Sequence, residues 1–246
     1  MQAEVISFRA TDGTKLNGLI YNYCDNKDKI IISTHGMGSN CFKDREKAIA
    51  QIIEGTNISL LAYNNRGTEV VARMKKLVNN EVVSYLAGCA DEDVLEGYFD
   101  IKGAIEFAIK LGYKKIYLQG HSLGSTKTVY TYNKLKKENY ESINLIRGVI
   151  LLSLVDIPQG IIDVEQIEDS RIQFLIDYAK RKYQEGKGTD FMPDDAFVQP
   201  ISVNEFIRLF IDNNETNFAR YHDNSYDYKE INNIIVPKIG RASCRE

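Results

Sequence analysis

Residues 116–125 read Ile-Tyr-Leu-Gln-Gly-His-Ser-Leu-Gly-Ser. The first four form a short extended run, and from Ser125 to Leu135 the apolar spacing becomes helical. Between them Gly120, His121, Ser122, Leu123 and Gly124 fit G-x-S-x-G, a serine held on a strand-to-helix turn. So sharp a turn strains the serine backbone, and glycines on either side remove side chains that would clash. The following helix directs its free N–H groups and positive dipole end at charge developing beside Ser122. Ser122 is therefore the expected nucleophile of an acyl-transfer reaction, and the Leu123 N–H an expected donor to the oxyanion.

Upstream, Lys29 to Thr34 (KIIIST) is a β-branched run typical of a strand buried on both faces, ending in His35, Gly36, Met37 and Gly38. Glycines there let the backbone approach a substrate carbonyl, so the Met37 N–H is the second expected oxyanion donor. His35 is expected to shape this loop rather than act as a base, because the loop belongs to the oxyanion side. Asp44 to Ile53 predicts a helix with Ile49, Ile52 and Ile53 on one face and Gly55 as its stop, followed by a buried strand at Ile58 to Tyr63. In the next loop, Asn64 to Gly67, Arg66 is expected to organise hydrogen bonds, with a substrate carboxylate as the competing role. Val5–Phe8 and Leu16–Tyr21, joined through Thr11, Asp12 and Gly13, predict a hairpin. Asp91, Glu92 and Asp93 favour a helix start, with Val94, Tyr98, Ile101, Ile105 and Ile109 following at helical spacing to Gly112.

Downstream, Val149 to Val155 (VILLSLV) predicts another buried strand, so that strands and helices alternate as in a mostly parallel, doubly wound sheet. The alternation then gives way to helical signals, read as a lid over the carboxyl edge of the sheet. Ile172, Leu175, Ile176 and Ala179 share a face, and Ser202 with Glu205 predicts a capping box ahead of Phe206, Ile207, Phe210 and Ile211. Asp156 is either a triad acid at a strand end or the N-cap of the first lid segment. Tyr221, Tyr226 and Tyr228 read as packing. The expected organisation is a core over 1–155, a helical lid over 156–228 and the approach to the next core strand over 229–238. Residues 239–246, IGRASCRE, drop the apolar pattern and resemble a translated sequencing adapter. They are expected to be a non-native tail outside the core on a truncated reading frame, the biological part of this sequence ending near Lys238.

The 246 residues are 43% hydrophobic and 26% charged with 17 Gly and 4 Pro, which excludes collagenous and low-complexity chains and suits one α/β domain with an insertion. A net charge of -3 with both signs interspersed argues against nucleic acid as a partner. No apolar run approaches the roughly 20 residues of a membrane span, and the N-terminal stretch lacks a signal-peptide layout, so a cytoplasmic protein is expected. Cys24, Cys41, Cys89 and Cys244 form no CxxC pair and read as free thiols.

The succession of strand, HGMG, strand, NNRG, helix, strand, GHSLG, helix, strand and lid, from Val5 to Pro237, resembles the α/β-hydrolase superfamily. THGMGSN, YNNRG and GHSLG together are similar, more weakly, to a branch that includes siderophore-ester hydrolases. The resemblance implies that Ser122 is the nucleophile, that Met37 and Leu123 supply the oxyanion N–H groups, and that the substrate is a small ester or related acyl compound. It implies no metal or organic cofactor. Family members carry the acid after the strand expected near Pro237 and the His after a further strand. The sequence holds neither region, only His35, His121 and His222. His121 lies inside the elbow, expected to point away from the base position, and His222 in the lid is the remaining candidate base. The parent protein is thus expected to be a serine esterase and this chain to be inactive for want of the acid and base. An acyltransferase, a thioesterase or a non-catalytic binding protein on the same fold is the alternative.

Overall fold

Apolar runs, the inner ones buried on both faces, dictate the sheet, and a computed structural model of the chain, describing residues 2–22, 27–194, 196–212 and 215–242, places them side by side. The strands are β1 (Ala3–Arg9), β2 (Lys15–Tyr21), β3 (Lys29–Thr34), β4 (Ile58–Tyr63), β5 (Ala72–Val78), β6 (Glu81–Ala87), β7 (Lys115–His121), β8 (Ile146–Leu154) and β9 (Lys238–Ala242). Seven form one sheet in the order β1-β2-β4-β3-β7-β8-β9. β1 and β2 run antiparallel, and β4, β3, β7, β8 and β9 are parallel to one another. The central register aligns Leu61, Ile32 and Leu118 across β4, β3 and β7.

The helices are α1 (Asp44–Ile52), α2 (Gly97–Lys110), α3 (Leu123–Lys137), α4 (Ile157–Glu165), α5 (Asp169–Gln184), α6 (Val203–Phe206) and α7 (Lys229–Asn232). Alternate residues of each inner strand face opposite layers. Ile30, Ile32, Leu61 and Leu118 pack with Ile101, Ile105 and Val129 of α2 and α3, whereas Leu60 and Ala62 pack with Ala50 of α1 and with Ile53. The expected face of α1 is corrected. Ile52 is 79% exposed, and Glu46 and Ala50 are its buried positions, because Glu46 accepts a hydrogen bond from Ser33 inside the sheet. The helix expected from Asp91 also starts later, at Gly97. Two 3-10 turns, Cys89–Asp91 and Val94–Glu96, precede it, the second capped by Asp93 accepting from the Leu95 N–H.

Residues 68–90, to which the apolar pattern assigns no element, contain the β5–β6 hairpin. Asn79 and Asn80 both take positive φ (49° and 67°), the type I′ geometry that asparagine tolerates. The hairpin docks on the β1–β2 turn, where Leu77 N donates to Gly13 O and Lys76 pairs with Asp12 at 2.8 Å.

The segment between β8 and β9 is less helical than its sequence. α4, α5 and α6 form as expected, a π-turn follows at Ile207–Ile211, and the described part of 212–228 is without regular structure. Leu175, Ala179, Val203, Phe206 and Leu209 make a second apolar core with Val94, Leu123 and Ile157, and Met37 packs against it. The capping box forms by half. Ser202 Oγ accepts from Glu205 N at 3.0 Å, but Ser202 N donates to Ala90 O, and the Glu205 carboxyl turns into the interior.

β9 is a further correction. Residues 239–242, expected outside the fold, pair in parallel with β8 at the sheet edge. Backbone pairing makes no demand on composition, since an edge strand offers N–H and C=O groups to any extended chain. Ile239 remains 71% exposed, so the strand joins the ladder without adding to the core. Residues 243–246 and Cys24 fall outside the described residues, while Cys41 and Cys89 are buried free thiols. Among the described residues no helix is long and apolar enough to cross a membrane, and no group of three His, Cys, Asp or Glu could hold a metal ion.

Candidate active site

β7 ends in Gly120 and His121, and α3 begins at Leu123, leaving Ser122 as the hinge residue with φ 53° and ψ -127°. That conformation is uncommon for a residue with a Cβ, and its surroundings over-determine it. Ser122 N donates to Leu152 O at 2.9 Å, and Ser125 N returns to Ser122 O at 2.8 Å. Glycine is required on both sides: a Cβ on Gly120 would overlap the Gly124 carbonyl, and one on Gly124 would overlap the Thr34 carbonyl. α3 thereby starts directly beneath the end of β3.

The loop leaving β3 lies against the serine. A Cβ at Gly36 would stand 2.9 Å from Ser122 Cβ and 3.4 Å from its Oγ, so this backbone reaches the hydroxyl because it is bare. Gly38 takes φ 61°, and its N–H donates to Gly67 O at 3.1 Å, tying the loop to the turn after β4. Leu123 N opens a helix and has no intrahelical acceptor. Among the described residues neither Leu123 N nor Met37 N donates a hydrogen bond, so both remain available to an oxyanion.

His35 is buried and fully engaged. Its Nε2 accepts from the Asn65 N–H at 3.1 Å, which puts the ring proton on Nδ1, 2.8 Å from Gly36 O. Burial, with the nearby Lys127 charge, pushes its pKa down to about 3. With its one lone pair committed, His35 is a structural group, as the sequence suggests. His121 is half-buried, and burial with Arg45 nearby lowers its pKa to about 4. His222 is 58% exposed and sits 3.5 Å from Asp163 of α4. Asp156 occupies the N-cap position of α4 without capping it. Its Oδ1 accepts from Asn217 Nδ2 at 2.9 Å instead. Tyr221 donates to Leu154 O and Tyr226 to Glu230, so these tyrosines pin the irregular segment between the π-turn and α7.

Two buried charge clusters flank the Asn65–Gly67 turn. Arg66, 5% exposed, grips Asp100 of α2 through Nε and NH2, and Asp100 also accepts from Arg66 N. Asp12 and Glu96 complete this set, and together the acids outweigh burial and raise the guanidinium above its ordinary range. Arg66 is thus committed to the turn, not free for a substrate. On the other side Lys127 of α3 and Glu92, both 0% exposed, pair at 2.5 Å. Sequence reasoning misses them, since a helical lysine and a loop glutamate ordinarily face water.

Glu205 of α6 lies near Glu92. Burial, the Glu92 charge and weaker opposition from Arg208 and Lys127 hold its pKa well above the usual 4.5. Its Oε1 and Glu92 Oε2 have no hydrogen-bond partner among the described residues. The native state keeps a proton that the unfolded chain releases near pH 4.5, so this group's contribution is intact below that value and is lost as pH rises above it. Glu205→Gln should match the parent in acid and exceed it increasingly from about pH 5 upward. The expected gain at neutral pH is about 1 kcal/mol, or roughly 2–4 °C in Tm. Thermal melts from pH 4 to 8 check this, and parallel Tm curves would refute the protonated assignment.

Among the described residues, a cleft of about 660 Å³ between the Asp93–Leu95 turn and the π-turn shares no residue with the Ser122 site.

No protein-family model matches the chain, and no curated protein matches it. Solved structures do resemble it. An α/β hydrolase, GrgF from Penicillium sp. sh18, superposes with a TM-score of 0.58 at 14% identity, over 99% of this chain and 91% of that one. A putative hydrolase from Agrobacterium vitis S4 gives 0.54 at 10% identity, over 85% and 72%. The siderophore hydrolase EstB from Aspergillus fumigatus gives 0.50 at 18% identity, over 82% and 63%. At these identities the likeness is one of fold.

Proposed function

We propose, from the α/β-hydrolase fold that this chain has, that it is the nucleophile-bearing part of a serine hydrolase acting on an ester or related acyl bond. The observation that carries the reading is the pairing of a left-handed Ser122 at a strand-to-helix turn with a bare Gly36 against its hydroxyl. The unengaged Met37 and Leu123 N–H groups support it further. Ser122 Oγ attacks the acyl carbonyl while a base takes its proton. The developing oxyanion is met by the two N–H groups, the alcohol leaves with the proton, and water releases the acyl group. The apolar lid packing around Met37 and Leu123 suits an uncharged acyl portion. His35 has its lone pair committed to Asn65 and His222 pairs with Asp163, so neither is taken as the base. In this reading the acid and base come from chain that follows β9.

Treating the full-length protein with a p-nitrophenyl alkylphosphonate and mapping the adduct by mass spectrometry tests the assignment. One phosphonyl group on the peptide containing Ser122 is expected. Labelling elsewhere, or none, would remove Ser122 from the mechanism.

A further inference from the structure

A buried ion pair is usually no more stabilising than apolar side chains of the same size, which makes the fully buried Lys127–Glu92 pair an oddity of the core. Its contacts lead to the acyl site. Lys127 Nζ also donates to Asn65 Oδ1 at 3.3 Å, and the same oxygen accepts from Gly67 N at 2.9 Å. Asn65 then holds His35 twice, through its backbone N–H to Nε2 and through Nδ2 to His35 O at 3.0 Å. The first of these bonds leaves Nδ1–H to donate to Gly36 O. Gly36 O and Met37 N–H belong to one planar trans peptide and point in opposite directions, so fixing the carbonyl fixes the N–H. A Cβ at Gly67 would overlap the Glu92 carboxylate, so the pair is pressed against the turn it holds.

We propose that Lys127, held by Glu92, is a positioning residue of the acyl site that sets the direction of the Met37 N–H through Asn65, His35 and the Gly36 carbonyl. This rests on the hydrolase reading for its catalytic consequence but not for its structural one. A hydrophobic pair would fill the same space, but it would leave the Asn65 amide free to turn over. Turning it over would cost His35 O its Nδ2 donor and Gly67 N its acceptor, loosening the turn whose Asn65 backbone N–H fixes the His35 tautomer and, through it, the Gly36–Met37 peptide.

The test is Lys127→Met combined with Glu92→Gln, which removes both charges together and strands neither. Two readouts are taken: imidazole ¹⁵N shifts of His35 with the Met37 amide resonance in this chain, and p-nitrophenyl butyrate kinetics in the full-length protein. The expected result is a folded variant in which the His35 ring loses its fixed Nδ1–H signature and the Met37 amide moves. KM should stay within about twofold while kcat falls on the order of 10²-fold, the low end for loss of one oxyanion donor. Asn65→Asp, nearly isosteric and still facing the ammonium, replaces the donation to His35 O by repulsion between two acceptor oxygens while Lys127 balances the added charge. It should shift the same resonances, and it stands in if the double variant does not fold. Unchanged His35 and Met37 resonances in a folded variant overturn the proposal, as does a shifted His35 with unchanged kcat. If the full-length parent is itself inactive and unlabelled at Ser122, the hydrolase reading fails, and the resonances alone decide the positioning chain.

Discussion

The 246-residue chain should hydrolyse p-nitrophenyl butyrate at a rate lower by about 10⁶ than the protein extended past β9, and Ser122→Ala in the extended protein should fall to the same floor. A nucleophile and its base act as a unit, so removing either costs nearly as much as removing both, and an oxyanion hole alone keeps only about 10³–10⁴ over water. It follows that Ser122→Ala in the shorter chain should change almost nothing. Steady-state assays of the four proteins side by side decide the matter. Robust turnover by the shorter chain that vanishes on His222→Ala would instead make the His222–Asp163 pair the acid–base couple, brought over Ser122 by lid movement.

Asp100→Ala should be the most damaging single change to stability, lowering it by about 3–5 kcal/mol because it strips a buried guanidinium of its main partner. Asp100 is fully buried and accepts from Arg66 N, Nε and NH2 at 2.8, 3.1 and 2.7 Å. Asp12 on NH2 and the half-exposed Glu96 on NH1 remain, but neither reaches Nε or the Arg66 backbone N–H. For a chain of this size the loss corresponds to a Tm lower by roughly 6–20 °C. Arg66→Met with Asp100→Ala should recover part of it, because the stranded charge is then gone. Urea melts of the parent, the two single variants and the double variant measure the coupling. A coupling under about 0.5 kcal/mol would show the two side chains to be independent.

The half of the fold that carries Ser122 is legible because its signals are local. GHSLG, HGMG and NNRG each follow a short, largely apolar run, and each loop is where the strand order brings it: β3 lies between β4 and β7, so all three loops open on one sheet edge. The glycines carried the same information as steric limits that the structure meets at Gly36, Gly120 and Gly124. What escaped is tertiary. The β5–β6 hairpin did have a signal, Asn79-Asn80 between Leu77-Val78 and Val82-Val83, but Lys75, Lys76 and Ser84 blur the alternation. Ile52 looked like a core residue by spacing, yet helix rotation is set by where Glu46 finds Ser33. Nothing about a lysine in the helix Leu123–Lys137 announces burial, since only the approach of Glu92 and Asn65 makes that position tolerable. The π-turn at Ile207–Ile211 is likewise a packing outcome, formed where Phe206 and Phe210 stack with ring centroids 4.5 Å apart.

The turn at Asn65–Gly67 is gripped from one side by Arg66 on Asp100 and from the other by Lys127 on Asn65, with Glu92 filling the space over Gly67. For a lineage accumulating substitutions one at a time, this is a trap. Losing the ammonium first maroons a carboxylate, losing the carboxylate first maroons an ammonium, and gaining a side chain at Gly67 evicts both. Single replacements at these positions should therefore cost more than paired ones that remove both charges together.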